Sequence, residues 1–291
     1  MKQRAFLLSF LIPFFTLLGI QVFAQNSGSL LWEISGKNLK QKSYLFGTIH
    51  VQDEKVFDLS GEVLQAFESC DAFAMEVILD EVDPEVTQEA ILMEEGSIKD
   101  LLSEEDYALL DEYFKEKTGA SIALYSKLKP FFIYSQLIQL NMKTDMPMAL
   151  DMFLLEKARE AGMLTFSVEK FEEQIGAIDQ ISYKEQCEML MEEVKKIDDG
   201  EAEKEYEELL AAYLTADLDK MIELTTDTAL PENFNQAFLI DRNYVMAKRI
   251  TKMAKKQSTF CAVGAAHLGG PEGVIAILME KGYTLTPIKS N

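Results

Sequence analysis

Histidine is nearly absent from this chain: of 291 residues, only His50 and His267 carry an imidazole. Cysteine is scarce too, with Cys70, Cys187 and Cys261 and no Cys-x-x-Cys, which excludes a zinc knuckle and a thioredoxin-type motif. An odd count leaves at least one thiol unpaired, and the apolar stretches beside Cys70 and Cys261 mark them as buried, inert thiols. No cysteine stands in the glycine-rich or helix-start setting that activates a thiolate, and Gly-x-Ser-x-Gly is missing, so cysteine and serine nucleophiles are unsupported. Positive charge is also short, 28 Lys and Arg against 49 Asp and Glu, a net charge of −21. A surface of that sign repels phosphate backbones and anionic headgroups, so no nucleic-acid partner is expected.

One long apolar run is present, at the start. Lys2 and Arg4 precede "AFLLSFLIPFFTLLGI", and "VFAQ" then places small or aliphatic residues at Val22 and Ala24. That pattern reads as a signal peptide, residues 1–24, cleaved after Ala24 to leave Gln25 first. The alternative is an uncleaved membrane anchor, which Pro13 and the cleavage site disfavour. The mature segment, 25–291, is therefore expected to be exported, periplasmic or secreted, with no stable membrane insertion. Its length suits one large domain.

"SLLWEISG" and "KSYLFGTI" flank the turn-forming "GKN" and predict a β-hairpin over 29–35 and 42–48. "GEVLQAFES" has helical spacing, and "DAFAMEV" returns to a strand. The far end repeats the order: "STFCAVG" is a strand, "PEGVIAILMEKG" a helix with Pro at its start and Gly at its end, and "YTLTPI" a strand. Residues 84–255 between them are mostly helical. There "SEEDYALLDEYFKEKTG" has a capped start and a glycine stop, and "PFFIYSQLIQLNMK" is apolar nearly all round, as a buried helix is. "ALDMFLLEKAREAG" is amphipathic, "MLTFSVE" is one more strand, and "EKEYEELLAA" is a solvated helix face. "PENFNQAFLIDRNYVMAKRITKMAKK" is a long helix leading into the last strands. The prediction is an α/β fold: two related strand–Gly-x-x-His–helix–strand halves forming a central sheet, with a mostly helical insertion.

Both histidines end a Gly-x-x-His step, "GTIH" from Gly47 and "GAAH" from Gly264. Each glycine lets the backbone turn tightly after a strand, and each histidine then stands at a strand's carboxyl end, where α/β sheets present ligands. Two such imidazoles could ligate one metal ion, which usually wants a third, often carboxylate, ligand. Glu76, an acid inside the apolar "DAFAMEV" strand, is the best candidate, as ligand or as general base. Glu169, ending "LTFSVE", has the same character. Arg242 could pair a site carboxylate or steady a substrate oxyanion. A carboxylate paired for structure alone, a surface arginine and a buried polar scaffold without activity remain open beside these.

The stretches "YLFGTIHV", "CDAFAMEV", "ALDMFLLEKAREAGMLTFSVEKFEEQIGAI", "DRNYVMAKRI" and "FCAVGAAHLGGPEGVIAILMEKGYTL" together resemble the TraB/GumN family. That group includes the TIKI-type metalloproteases and lies near erythromycin esterase and the haem-binding ChaN proteins. The resemblance implies a two-halved α/β fold and a divalent-metal hydrolase acting on a peptide or small-molecule substrate, with manganese or cobalt as the ion. It further implies His50, Glu76 and His267 as the site, with Glu169, Gln174, Arg242 and Asn243 beside them. The alternative class is an envelope protein that binds haem, iron or a small ligand without turnover.

Overall fold

A computed structural model describes residues 28–226, 231 and 233–289. The predicted signal peptide lies outside the described residues, as does Glu232 in the predicted long helix. Six strands, β1 (Leu31–Ser35), β2 (Ser43–Thr48), β3 (Ala72–Met75), β4 (Leu164–Ser167), β5 (Thr259–Gly264) and β6 (Thr284–Ile288), form one sheet in the order β4-β3-β5-β2-β1-β6. The predicted hairpin is β1 and β2, antiparallel with Leu31 opposite Phe46. Its turn uses left-handed backbone at Gly36, Lys37 and Asn38.

The two centre strands, β2 and β5, are parallel neighbours with Thr48 opposite Gly264. From β2 the chain passes over β5, through α1 (Gly61–Glu68), to β3. From β5 it passes over β2 and β1, in the other direction, to β6. Connections therefore diverge at the β2/β5 junction. Such a switch point opens a crevice at the carboxyl ends of the strands, and both Gly-x-x-His steps emerge there.

The helices of the 84–255 segment are α2 (Pro84–Ile91), α3 (Ile98–Leu101), α4 (Glu104–Thr118), α5 (Pro130–Leu140), α6 (Leu150–Glu160), α7 (Phe171–Ile178), α8 (Tyr183–Asp198), α9 (Glu201–Leu214), α10 (Leu218–Thr225) and α11 (Asp241–Ala254); α12 (Val274–Glu280) follows β5. The start and stop signals act as read: Ser103 caps α4 by accepting from the Asp106 N–H, and Gly119 ends it at φ 73°. The main core holds Phe46, Phe73 and Phe260 across the sheet centre, with Phe67 of α1 edge-on to Phe260. A second cluster, Leu110, Phe114, Ile133, Leu137 and Leu190, joins α4, α5 and α8 away from the sheet.

Two readings are corrected. Helix α5 is not buried on all sides: Pro130, Ile133 and Leu137 are, while Gln136 and Gln139 face solvent, so one stripe packs against α8 and the other apolar residues are half-buried. The last helix does not open at Pro271 but at Val274, after Gly273. A Cβ on Gly273 would lie 1.9 Å from the Gly269 carbonyl oxygen, so the chain first makes a tight turn that only glycine fits. Cys70 and Cys261 are free and buried, as expected, and so is Cys187; burial pushes the Cys70 and Cys187 thiols up to about 12. Among the described residues, no helix is long and apolar enough to cross a membrane.

Candidate functional site

Strand β3 ends at Met75, so Glu76 is the first residue beyond it, at the crevice, and not inside the strand. It is 8 % exposed. Its Oε1 accepts the Gly264 N–H at 2.8 Å, and its Oε2 accepts from Arg242 at 2.7 Å and from Gln174 Nε2 at 3.3 Å. Burial opposes the charge, but His267, Arg242 and His50 together with the Gly264 N–H hold the carboxyl well below the ordinary range.

Arg242 sits on the buried face of α11 with Asn243, Met246 and Ile250, just after a π-helical turn, Gln236–Ile240. Its Nε and Nη2 grip Glu169 at 3.0 and 2.8 Å, Nη2 also reaches Glu76, and Nη1 donates to the Phe238 carbonyl at 3.0 Å. The guanidinium is thus turned inward onto protein acceptors, a clamp between two carboxylates. Glu169, 2 % exposed, is raised by burial, with Arg242 pulling the other way. Gln174, on α7, donates to both carboxylates, at 3.3 Å and 3.2 Å.

His267 ends a 3₁₀ turn after β5 and is 5 % exposed. Asn243 fixes its tautomer. The amide Nδ2 donates to the Glu272 carbonyl at 2.8 Å, so Oδ1 faces His267 Nδ1 at 2.7 Å and Nδ1 must carry the proton. Burial pushes the imidazole down to about 4 against the pull of Glu76, so at neutral pH the ring is neutral. Its Nε2, unprotonated in this tautomer, lies 3.9 Å from Glu76 Oε1.

The glycines act through space, not through turn geometry. Neither Gly47 nor Gly264 has a positive φ. A Cβ on Gly47 would come 2.9 Å from the Ala265 Cβ, and one on Gly264 would come 3.2 Å from Glu76 Oε1. The two motifs touch each other, and Tyr213 of α9 ties the first down by donating to the Gly47 carbonyl at 3.0 Å.

His50 stands apart. Its ring is 57 % exposed and its Nδ1 meets Asp151 Oδ2 at 3.1 Å. Desolvation would lower it, but Asp151 and then Glu76 raise it to about 9. Its charge is felt at Glu76 and His267, though it contacts neither directly. Among the described residues, no three His, Cys, Asp or Glu side chains are spaced to hold an ion as they stand.

The donor set nonetheless fits a cation. An imidazole lone pair and a carboxylate oxygen are both acceptors, and they face each other at 3.9 Å. Both could reach one ion at about 2.0–2.2 Å. Near His50, Thr48 Oγ1 and Asp151 Oδ1 are buried without a protein partner, further acceptor capacity at the same crevice. Asp151 and Thr48 went unread in the sequence. The signal for Asp151 is spacing: Leu150, Leu154, Leu155 and Ala158 are the buried face of α6, and Asp151 lies on it.

A family model described as the TraB/PrgY/gumN family matches residues 30–287. Among curated proteins the chain is 24 % identical to Metalloprotease TIKI2 of Danio rerio, over 90 % of this chain and 61 % of the relative. It is 26 % identical to Metalloprotease TIKI1 of Danio rerio, over 88 % and 62 %. Metalloprotease TIKI2 of Xenopus tropicalis is similar at 23 %, over 91 % and 61 %. The chain thus spans about three fifths of the length of the curated relatives it matches. No solved structure matches it.

Proposed function

This chain belongs to the TraB/PrgY/gumN family, and from that premise we propose that it is an exported metal-dependent hydrolase of peptide or related carbonyl substrates. The observation that carries the reading is the pair of facing acceptors, His267 Nε2 and Glu76 Oε1, with the histidine tautomer set by Asn243. His267 and Glu76 would hold a divalent ion, which would supply Lewis-acid activation of a water and of a carbonyl. Manganese and cobalt are the ions to test first.

Within this reading His267 offers Nε2 and Glu76 offers Oε1, while His50 supplies the second imidazole from the exposed side of the crevice. Glu76 serves as the carboxylate ligand in this reading, its charge held by Arg242 and the Gly264 N–H. Arg242 and the Gly264 N–H aim the Glu76 carboxylate, Glu169 anchors Arg242, and Gln174 ties the two acids together. The basic, then apolar, pattern of residues 1–24 supports export within this reading.

One observation favours the competing reading, a protein that holds iron, haem or a small ligand without turnover. Glu76 and His267 are only 8 % and 5 % exposed, which limits the approach of a large substrate. Cleavage of a diverse peptide panel by the manganese- or cobalt-loaded chain, lost in His267→Ala, supports the hydrolase. A wild-type chain that retains its ion and cleaves nothing supports the binder.

A further inference from the structure

We propose that Asp151 is the positioning carboxylate of His50, fixing which ring nitrogen faces the crevice, as the Asn243 amide does for His267. Asp151 lies in the first turn of α6 on the face occupied by Leu150, Leu154, Leu155 and Ala158, and it is 7 % exposed. A carboxylate in that place is costly unless paired, and an apolar residue would pack α6 against the sheet better. Its one side-chain partner among the described residues is His50 Nδ1, at 3.1 Å, while its Oδ1 is buried without any. The exposed member of this pair is the histidine and the buried member is the acid. Packing gives no reason for an acid on that face; the helix dipole favours one in the first turn, and the ring gives its buried carboxylate a partner.

The comparison with His267 sharpens the point. Each Gly-x-x-His histidine has its Nδ1 occupied by an oxygen from a helix of the 84–255 segment, Asn243 from α11 and Asp151 from α6. Neither partner is near its histidine in sequence. In each neutral ring the consequence is the same: Nδ1 carries the proton and Nε2 is left as the donor atom, a form His50 reaches in alkali or when an ion displaces its Nε2 proton. The partners differ in charge. A carboxylate strengthens the donor power of its imidazole more than an amide does, so His50 is the stronger ligand of the two. That last consequence rests on the proposed metal site; the ring orientation does not.

The test exploits the two-histidine composition, which gives only two imidazole spin systems in a long-range ¹H–¹⁵N correlation spectrum of the whole mature chain. In alkaline solution without metal, the wild type should show His50 with a protonated Nδ1 and a bare Nε2. In Asp151→Ala the neutral ring should revert to the Nε2–H form that a free imidazole side chain favours, with His267 unchanged. Asp151→Asn keeps an acceptor oxygen and should retain the Nδ1–H form in part. Manganese affinity should fall about 10–100-fold in Asp151→Ala. Identical His50 nitrogen shifts in wild type and Asp151→Ala overturn the proposal. If Asp151→Ala does not fold, unchanged His50 shifts in Asp151→Asn overturn it instead. A wild type that binds no manganese, yet whose His50 tautomer depends on Asp151, keeps the positioning role and removes the metal reading.

Discussion

Asn243 Oδ1 lies 2.7 Å from His267 Nδ1, and the same amide donates to the Glu272 carbonyl at 2.8 Å. That second bond forbids the amide to flip, so the protonation of a buried histidine is decided by a backbone carbonyl five residues along the chain. Asn243→Leu removes the acceptor and frees the tautomer. We expect about 10–100-fold weaker metal binding, read by calorimetry, with a smaller loss in Asn243→Asp, which keeps an acceptor. Equal affinity in wild type and Asn243→Leu would show that the tautomer is set elsewhere.

Arg242 is ion-paired to both buried carboxylates, Glu76 and Glu169. Removing it leaves Glu76 and Glu169 without the guanidinium that pairs both. Arg242→Gln should cost about 3–5 kcal/mol in urea denaturation. Adding Glu169→Gln should restore part of that loss, because one of the two orphaned charges is gone. A double variant no more stable than the single one would rule out the clamp.

Gly47 is required for close approach. A methyl group there would lie 2.9 Å from the Ala265 Cβ, on a backbone held from the other side by Tyr213. Gly47→Ala should destabilise by about 1–3 kcal/mol, as overpacking does, and lower the melting temperature accordingly. An unchanged melting temperature would mean that the two motifs do not pack as closely as described.

Arg249 binds Glu173 through both guanidinium ends and also donates to the Val168 carbonyl, just before Glu169. The hydrogen bond from Arg249 holds the Glu173 carboxyl below its ordinary value. A depressed folded-state value means the stabilisation is present above the unfolded value and lost as pH falls through the folded one. The pair is about one-third exposed, so its contribution is small, about 0.5–1 kcal/mol. The stability gap between wild type and Arg249→Met should therefore be present at neutral pH and narrow on acidification below the ordinary glutamate range. A gap that widens in acid contradicts the assignment.

Much of this arrangement was legible in the sequence, and the reasons are local. The hairpin, the strands that precede each Gly-x-x-His step and the capped α4 all follow from short-range periodicity and turn chemistry, which act within a few residues. Glu76 was legible as an acid in apolar surroundings, and Arg242 as a candidate partner of a site carboxylate. What they do was not: Arg242 might equally have faced substrate, and only the fold turns it onto Glu76 and Glu169. The roles of Gly47 and Gly264 were misassigned because a glycine needed for space looks like one needed for a turn. Asp151 was passed over because an amphipathic reading of α6 averages over its face, and one acid among four apolar residues does not change the average. The strand order, which makes β2 and β5 neighbours, depends on pairings between residues some 200 positions apart and has no local signature.

The central claim is that His267 and Glu76 share one ion. Its most direct test is calorimetric titration of the mature, chelator-treated chain with manganese and cobalt, in parallel with His267→Ala and Glu76→Gln. The account predicts one site per chain in the wild type for at least one of these ions, and loss of that site in both variants while each remains folded by circular dichroism. Binding that survives undiminished in His267→Ala, or a folded wild type that takes up neither ion, would contradict it.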